Sequence, residues 1–76
     1  MVTQQIALTV SVIPTIGETA GRIWHALEER GEVRLASLQR KLEVPSALLQ
    51  MALGWLARED KVEITPEGNS YRIRLR

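Results

Sequence analysis

The sequence has no cysteine, no phenylalanine and little aromatic content, which amounts to two tryptophans and one tyrosine among 76 residues. Without cysteine the chain can form neither a disulfide nor a thiolate metal site, and a reducing compartment such as the cytoplasm is the expected location. No apolar run approaches the length of a membrane span, and the N-terminus lacks the basic start and compact apolar stretch of a signal peptide. The sequence therefore predicts a cytoplasmic protein with a mainly aliphatic core and no membrane partner.

The chain also has almost no excess charge of one sign, since ten basic and nine acidic residues give a net charge of +1. A strongly electrostatic nucleic-acid binder carries a larger positive excess, although a local basic patch can still contribute. A chain of this length forms one domain. We expect an N-terminal extension over residues 1–14 and a folded domain over residues 15–76.

Side chains that could perform catalysis do not converge. His25 is the single histidine and lies on the polar face of a predicted helix, where a metal ligand or an acid–base group is not expected. The pairs Glu28–Glu29 and Glu59–Asp60 are sequence neighbours, and neighbours on a helix point about a quarter-turn apart. There is no glycine-rich phosphate loop and no serine in a nucleophile elbow. We therefore expect no enzyme activity, no cofactor, no metal and no small-molecule substrate.

Helical periodicity appears in three segments, at residues 16–30, 36–42 and 46–59. Gly31 is a natural stop for the first helix, and Ser46 is the expected N-cap of the third. Trp24 and Trp55 fall on the apolar arcs, so both are expected to pack in the core. The broad arc predicted to be buried in the third helix consists of Leu48, Leu49, Ala52, Leu53, Trp55 and Leu56.

The opposite arc of the third helix is small or apolar, apart from Gln50 and Arg58. A glycine within a helix costs about 1 kcal/mol relative to alanine, so Gly54 requires an explanation. Either another part of the domain packs closely on Gly54, or a partner chain does. This arc consists of Ser46, Ala47, Gln50, Met51, Gly54, Ala57 and Arg58.

Alternating β-branched and polar residues predict strands at both ends of the chain. Residues 1–13 place Ile6, Leu8 and Val10 on one face, and this strand could join the domain's own sheet or pair with another chain. Residues 32–35 form a short extended stretch. Residues 62–65 and 70–75 form a hairpin around a turn at 66–69, in which Thr65 pairs with Ser70 and the inner face meets the core. That inner face holds Val62, Ile64, Tyr71 and Ile73.

The order helix, short strand, helix, turn, helix and hairpin is that of a winged helix-turn-helix domain. Two stretches, I-G-E-T-A-G-R-I-W at 16–24 and A-L-G-W-L-A-R-E-D-K at 52–61, resemble a family of small bacterial winged helix-turn-helix proteins of unknown function. The resemblance covers residues 16–75. It implies an α+β, mainly helical fold with three helices and a C-terminal β-hairpin wing, and it implies no catalytic residues or ligand. The N-terminal strand lies outside the typical family pattern.

Two functions are open. Fold analogy suggests a DNA-binding regulator, although the apolar helix face and the acidic Glu67 at the wing tip oppose it. The expected DNA contacts are Arg34, Arg40, Lys41, Gln50, Arg58, Arg72, Arg74 and Arg76. The alternative is a protein-interaction or assembly module, which includes a homo-oligomer, because exposed apolar patches usually mark contact sites. Its expected interface consists of Ala47, Gln50, Met51, Gly54 and Ala57 with Ile6, Leu8 and Val10.

Overall fold

The computed structural model describes residues 11–76, which form three helices and a three-stranded antiparallel sheet. In chain order the elements are α1 (Ile13–Arg30), β1 (Val33–Arg34), α2 (Leu35–Leu42), α3 (Ser46–Arg58), β2 (Val62–Glu67) and β3 (Ser70–Leu75). The strand order in the sheet is β1-β3-β2, with both pairings antiparallel. The predicted winged helix-turn-helix architecture is confirmed, and the expected extended stretch before α2 is β1.

The core lies where α1 packs on α3 and both helices cover one face of the sheet. Its aliphatic character follows from the composition, and each fully buried leucine or isoleucine contributes about 2 kcal/mol relative to exposure. The largest fully buried side chains are Ile23, Leu27, Leu38, Leu49 and Ile73. The inward arc predicted for α3 is largely confirmed, because Leu49, Ala52, Leu53 and Leu56 are all buried.

Helix α1 begins three residues earlier than its periodicity indicated. Pro14 lies in its first turn, where proline's missing N–H leaves no hydrogen bond unmade. The Ile13 N–H donates to Ser11 Oγ over 3.1 Å, so this serine supports the start of the helix. The expectation that a strand runs as far as residue 13 is therefore wrong. Its proposed interface residues Ile6, Leu8 and Val10 lie outside the described residues.

The turn of the helix-turn-helix is held by polar contacts to backbone groups. Glu43 follows the last residue of α2 and adopts a left-handed conformation with φ of 54°, which ends the helix. Its N–H donates to the carbonyl of Gln39. The Gln39 side chain donates to the carbonyl of Val44. Pro45, rather than Ser46, occupies the N-cap position of α3, and no side chain caps it. The predicted Ser46 cap is wrong because this serine is already the first helical residue.

A side chain of α1 fixes the far end of α2. The Arg22 Nη2 group donates to the carbonyl of Leu42 over 2.7 Å. Carbonyls at a helix C-terminus lack partners within the helix, and a cation also suits the negative end of the dipole. This contact helps to hold α2 against α1, and thereby sets the position of the helix-turn-helix turn.

The hairpin has a different register from the one predicted. Ser70 pairs with Glu67 rather than with Thr65, and Ile64 faces Ile73. The loop is reduced to two residues, in which Gly68 supplies a φ of +60° at the first central position. Pro66 can remain in β2 because this strand lies at the sheet edge, where a missing N–H is tolerated. The wing is therefore longer than expected.

Across residues 11–76, no helix combines the length and the apolar composition needed to cross a membrane.

Candidate interaction surface

The outward face of α3 is exposed along its whole length. The residues predicted for this face are all classed as exposed, namely Ser46, Ala47, Gln50, Met51, Gly54, Ala57 and Arg58. In a winged helix that reads DNA, this face enters the major groove, and base recognition favours Arg, Lys, Asn and Gln. Gln50 and Arg58 alone have such side chains, and Gln50 is directed to Ser46 Oγ at 3.4 Å. The face is therefore better suited to apolar contacts than to base edges.

Gly54 lies at the centre of this face and is not packed against the rest of the domain. Apart from the adjoining backbone of α3, no atom of residues 11–76 would lie within 4 Å of a Cβ atom built on Gly54. For residues 11–76, the explanation that another part of the domain packs closely on Gly54 is therefore wrong, and the explanation by a partner chain stays a prediction.

On one side of Gly54 is an open groove between α1 and α3, which we call the α1–α3 groove. Its volume is about 730 Å³. Apolar walls are supplied by Ile16 of α1 and by Met51 and Trp55 of α3, while Arg58 and Glu59 lie at the C-terminal end of α3. Met51 is 47% exposed and Trp55 37% exposed, so both leave apolar surface in the groove open to solvent.

Trp55 was expected in the core, and the structure corrects this. Its ring lies over the first half of α1, where a Cβ atom built on Gly17 would be 4.0 Å from Trp55 Cζ2. The rest of the ring is uncovered because nothing in residues 11–76 lies across the groove. Trp24 is half-buried, and its ring meets that of His25 edge-on at 5.6 Å between centroids.

On the other side of Gly54 is a smaller depression of about 270 Å³ between α3 and the sheet, which we call the α3–sheet groove. Ile64 and Tyr71 were expected on the core face, but they are 37% and 46% exposed. Tyr71 pairs with Pro66 near the hairpin tip, and Ile64 lies on the edge strand β2, so each has a side that no neighbouring strand covers. The α3–sheet groove is lined by Leu35, Gln50, Leu53, Gly54, Ile64, Tyr71 and Ile73.

The two grooves meet at Gly54 and together form one apolar surface. Within the described residues, most of the large hydrophobic side chains that are exposed border it, namely Met51, Trp55, Ile64 and Tyr71. Of the predicted interface residues in α3, Gln50, Met51 and Gly54 line the grooves, whereas Ala47 and Ala57 do not. The prediction missed Ile16, Trp55, Ile64 and Tyr71. The Gly68–Asn69 pair was the available signal for Tyr71, since a two-residue turn there lengthens the wing and pairs Tyr71 with Pro66 near its tip.

Three of the eight predicted DNA-contact residues are paired with carboxylates. Arg72 donates to Glu67 and lies 3.7 Å from Glu32, while Arg34 lies 3.6 Å from Glu67. Arg76 likewise pairs with Asp60 and, at 3.4 Å, with Glu63. Exposed pairs of this kind contribute about 1 kcal/mol or less, so phosphate could break them. The carboxylates would nevertheless remain beside any phosphate and repel it.

Glu67 is the centre of the network on the outer face of the sheet. The hydrogen bond from Arg72 holds the pKa of the Glu67 carboxyl below its usual range, with further attraction from the charges of Arg72 and Arg34. The same hydrogen bond raises the pKa of Arg72. The wing therefore carries a carboxylate near its tip that is paired with the two arginines expected to meet phosphate there.

The other predicted DNA contacts with basic side chains lie on three different elements, with Arg74 on the same face of β3 as Arg72. Arg40 and Lys41 are exposed in the last turn of α2, and Arg58 is exposed in the last turn of α3. Arg74 reaches only the neighbouring Leu75 carbonyl, at 3.5 Å. For these four residues, residues 11–76 provide no carboxylate within ion-pair distance.

Residues that could hold a metal are dispersed over the part of the chain that the structure describes, and no group of three such side chains occurs there. His25 is exposed and lies 3.6 Å from Glu28 on the same helix.

Comparisons with known proteins agree with the geometry. The chain is 41% identical to an uncharacterized protein, MJ1608, of Methanocaldococcus jannaschii over 63 residues, covering 80% of this chain and 90% of that protein. It is also similar to the solution NMR structure of protein BT2368 from Bacteroides thetaiotaomicron, with a TM-score of 0.70 and 37% identity. That match covers 79% of this chain and 73% of the other. The first relative is archaeal, so the expected bacterial source is not confirmed.

A family model described as a winged helix-turn-helix domain (DUF2582) matches residues 11–75. Neither this description nor those of the two relatives names an enzymatic activity. The match extends beyond the two stretches in which the sequence resembled such a family, and it includes every helix and strand of the described structure. The chain belongs to the winged helix-turn-helix domain family DUF2582.

Proposed function

We propose that this chain is a non-enzymatic protein-interaction module, in which α3 presents a docking face instead of a base-reading face. The single observation that supports this most strongly is the surface around Gly54, where two apolar grooves meet. Among residues 11–76, nothing outside α3 lies within 4 Å of a Cβ atom built on this glycine. Burying apolar surface contributes about 25 cal/mol per Å², so a partner that fills these grooves gains binding free energy from Met51 and Trp55.

The occupant we propose is an apolar segment of a partner protein, and this segment carries one acidic residue near one of its ends. Arg58 at the end of the α1–α3 groove has no carboxylate partner among residues 11–76, whereas the neighbouring Glu59 lies 3.4 Å from Lys61. A carboxylate on the incoming segment would therefore meet an available guanidinium. The absence of a side chain at Gly54 allows the backbone of such a segment to approach the helix closely.

A selection from a random peptide display library on the immobilised full chain tests this function. We expect enrichment of peptides that combine several apolar residues with an acidic one. Met51→Glu, which places a charge in the groove, and Gly54→Leu, which fills it, should both abolish binding of the selected peptides. Arg58→Gln should weaken it, and the matched control Lys41→Glu on α2 should leave it unchanged.

Circular dichroism would verify that each variant keeps its helices. The proposal is overturned if no peptide is enriched, or if the selected peptides bind Met51→Glu and Gly54→Leu as tightly as they bind the parent.

DNA binding is the second candidate, and it is supported by the fold and by the cations of Arg40, Lys41, Arg58 and Arg74. Phosphate contacts from so few cations give weak affinity that falls steeply with salt. We expect a labelled mixed-sequence duplex to show no binding at physiological salt by fluorescence anisotropy. Tight binding there, lost in a variant with Arg40→Glu and Lys41→Glu, would favour DNA over a protein partner. The cytoplasmic location stays a prediction.

A further inference from the structure

A separate pocket of about 290 Å³ lies between α1 and the C-terminal end of α3, and both tryptophans of the chain, Trp24 and Trp55, border it. Gly17 and Gly21 of α1 also line this pocket. Apart from the adjoining backbone of α1, no atom of residues 11–76 would lie within 4 Å of a Cβ atom built on Gly21. Pockets for drug-sized ligands begin at about 300 Å³, so this one, which we call the two-tryptophan pocket, suits a single small headgroup.

The charged side chains of the two-tryptophan pocket indicate which kind of headgroup it takes. Glu59 and Lys61 both line the pocket, and Lys61 Nζ lies 3.4 Å from Glu59 Oε1. An ammonium group of the protein itself is therefore already paired with the carboxylate at this pocket. The two side chains are 55% and 45% exposed, so their pairing is weak and another cation can replace Lys61.

The two indole rings favour some cations over others. The face of a tryptophan ring attracts a cation through its quadrupole, and the attraction is larger when the cation is desolvated. An unmodified ammonium such as that of Lys61 is strongly hydrated. Methylation keeps the charge but replaces N–H donors that bind water, so a methylated ammonium is more easily desolvated against Trp24 and Trp55.

We propose that the two-tryptophan pocket binds a methylated ammonium group, with Glu59 as its counter-ion and the rings of Trp24 and Trp55 as its walls. Lys61 occupies the carboxylate in the free protein and is displaced when the ligand binds. The pocket shares Trp55 and Glu59 with the α1–α3 groove, so a segment docked in that groove can supply the group. On this view, which rests on the proposed function, the partner segment carries a methylated lysine close to the acidic residue that pairs with Arg58.

A titration of the full chain with tetramethylammonium chloride tests the site, with sodium chloride at equal ionic strength as the matched salt. We expect a saturable shift of the indole N–H signals of Trp24 and Trp55 in NMR spectra with tetramethylammonium, and none with sodium. Glu59→Gln should weaken the binding of tetramethylammonium by about fivefold, and Lys61→Met should tighten it by a similar factor. The control Glu29→Gln, which removes an α1 carboxylate outside the pocket, should leave the binding unchanged.

Gly21→Leu fills the two-tryptophan pocket from the side of α1 and should abolish the binding, while circular dichroism verifies that the helices are retained. The proposal is overturned if the response to tetramethylammonium does not saturate or is matched by sodium. It is also overturned if the parent, Glu59→Gln and Lys61→Met bind tetramethylammonium equally well.

The source of the methylated group is tested with the peptide selected on the full chain. Trimethyllysine, introduced at each position of that peptide in turn, should tighten its binding at one of them. If no position responds while tetramethylammonium still binds, a partner segment is excluded as the source and the pocket is assigned to a free quaternary ammonium compound.

The two experiments also separate this inference from the proposed function, because a random peptide library contains no methylated lysine. Selected peptides without any response to tetramethylammonium would leave the proposed function intact and remove the ammonium site. A response to tetramethylammonium without any selected peptide would do the reverse.

Discussion

At the scale of single residues, Gly54 is the clearest sign that α3 serves something other than the stability of the fold. It is a helical glycine with ordinary backbone angles and open space where a side chain would be. We expect Gly54→Ala to raise the free energy of unfolding by about 1 kcal/mol, because alanine has the higher helix propensity. Equilibrium urea unfolding followed by circular dichroism measures this change.

Gly31→Ala is the matched control for this prediction. Gly31 also has open space around it, but its φ of +77° is one that side chains rarely adopt, so the same substitution should destabilise the protein. A lower stability for Gly54→Ala would mean that the glycine is required by the fold, and the functional reading of the position would be lost.

The sequence predicts which α3 residues face outward but not how well the inward ones are covered. Periodicity assigns an angle around the helix, and on that basis Leu49 and Trp55 share one arc. Leu49 is 1% exposed and Trp55 is 37% exposed, because the Trp55 ring contacts α1 on one side and borders the open α1–α3 groove on the other. Coverage depends on where the neighbouring elements end, and this information is not contained in the periodicity of one helix.

At the scale of elements, the outer face of the sheet is held by the carboxylate of Glu67 between Arg72 and Arg34. Because the folded-state pKa of Glu67 is lowered, its pairing stabilises the fold at pH values above the ordinary carboxyl pKa. This contribution is lost as the pH falls through the lowered folded-state value. We expect Glu67→Gln to lower the melting temperature at neutral pH, and the difference from the parent to vanish in acid.

Thermal melts of parent and variant between neutral and acidic pH measure this difference. The control is Glu29→Gln, which changes an exposed α1 carboxylate for which residues 11–76 provide no ion pair. If Glu67→Gln lowers the melting temperature by the same amount at every pH, the stability of the wing does not depend on the charge of this carboxylate.

Element boundaries were predicted well where periodicity and capping agree, and less well where a turn type decides them. Helix α2 and the end of α1 at Gly31 followed from apolar spacing and glycine placement. The hairpin register did not, because the sequence pattern places Pro66 in a turn cluster whereas the structure places it in the edge strand β2. Shifting the pairing by two residues retains the alternation of faces, so the hydrophobic pattern alone could not distinguish the two registers.

At the scale of the whole molecule, charge and apolar surface favour different partners. The net charge of +1 and the paired arginines of the wing limit the electrostatic attraction of DNA. The grooves on either side of Gly54 offer an apolar surface in the position where related folds place a base-reading helix. The family and the fold alone do not choose between these partners, because the same fold can carry either function.

The most direct test is an amide chemical-shift titration of the ¹⁵N-labelled full chain, first with the peptide selected on it and then with a mixed-sequence DNA duplex at physiological salt. We predict that the peptide perturbs Ile16, Met51, Gly54 and Trp55 while the duplex perturbs nothing. A duplex that shifts Gln50 and the basic residues of the wing, together with a peptide that leaves the groove residues unchanged, would contradict the conclusion that α3 is a protein-docking helix.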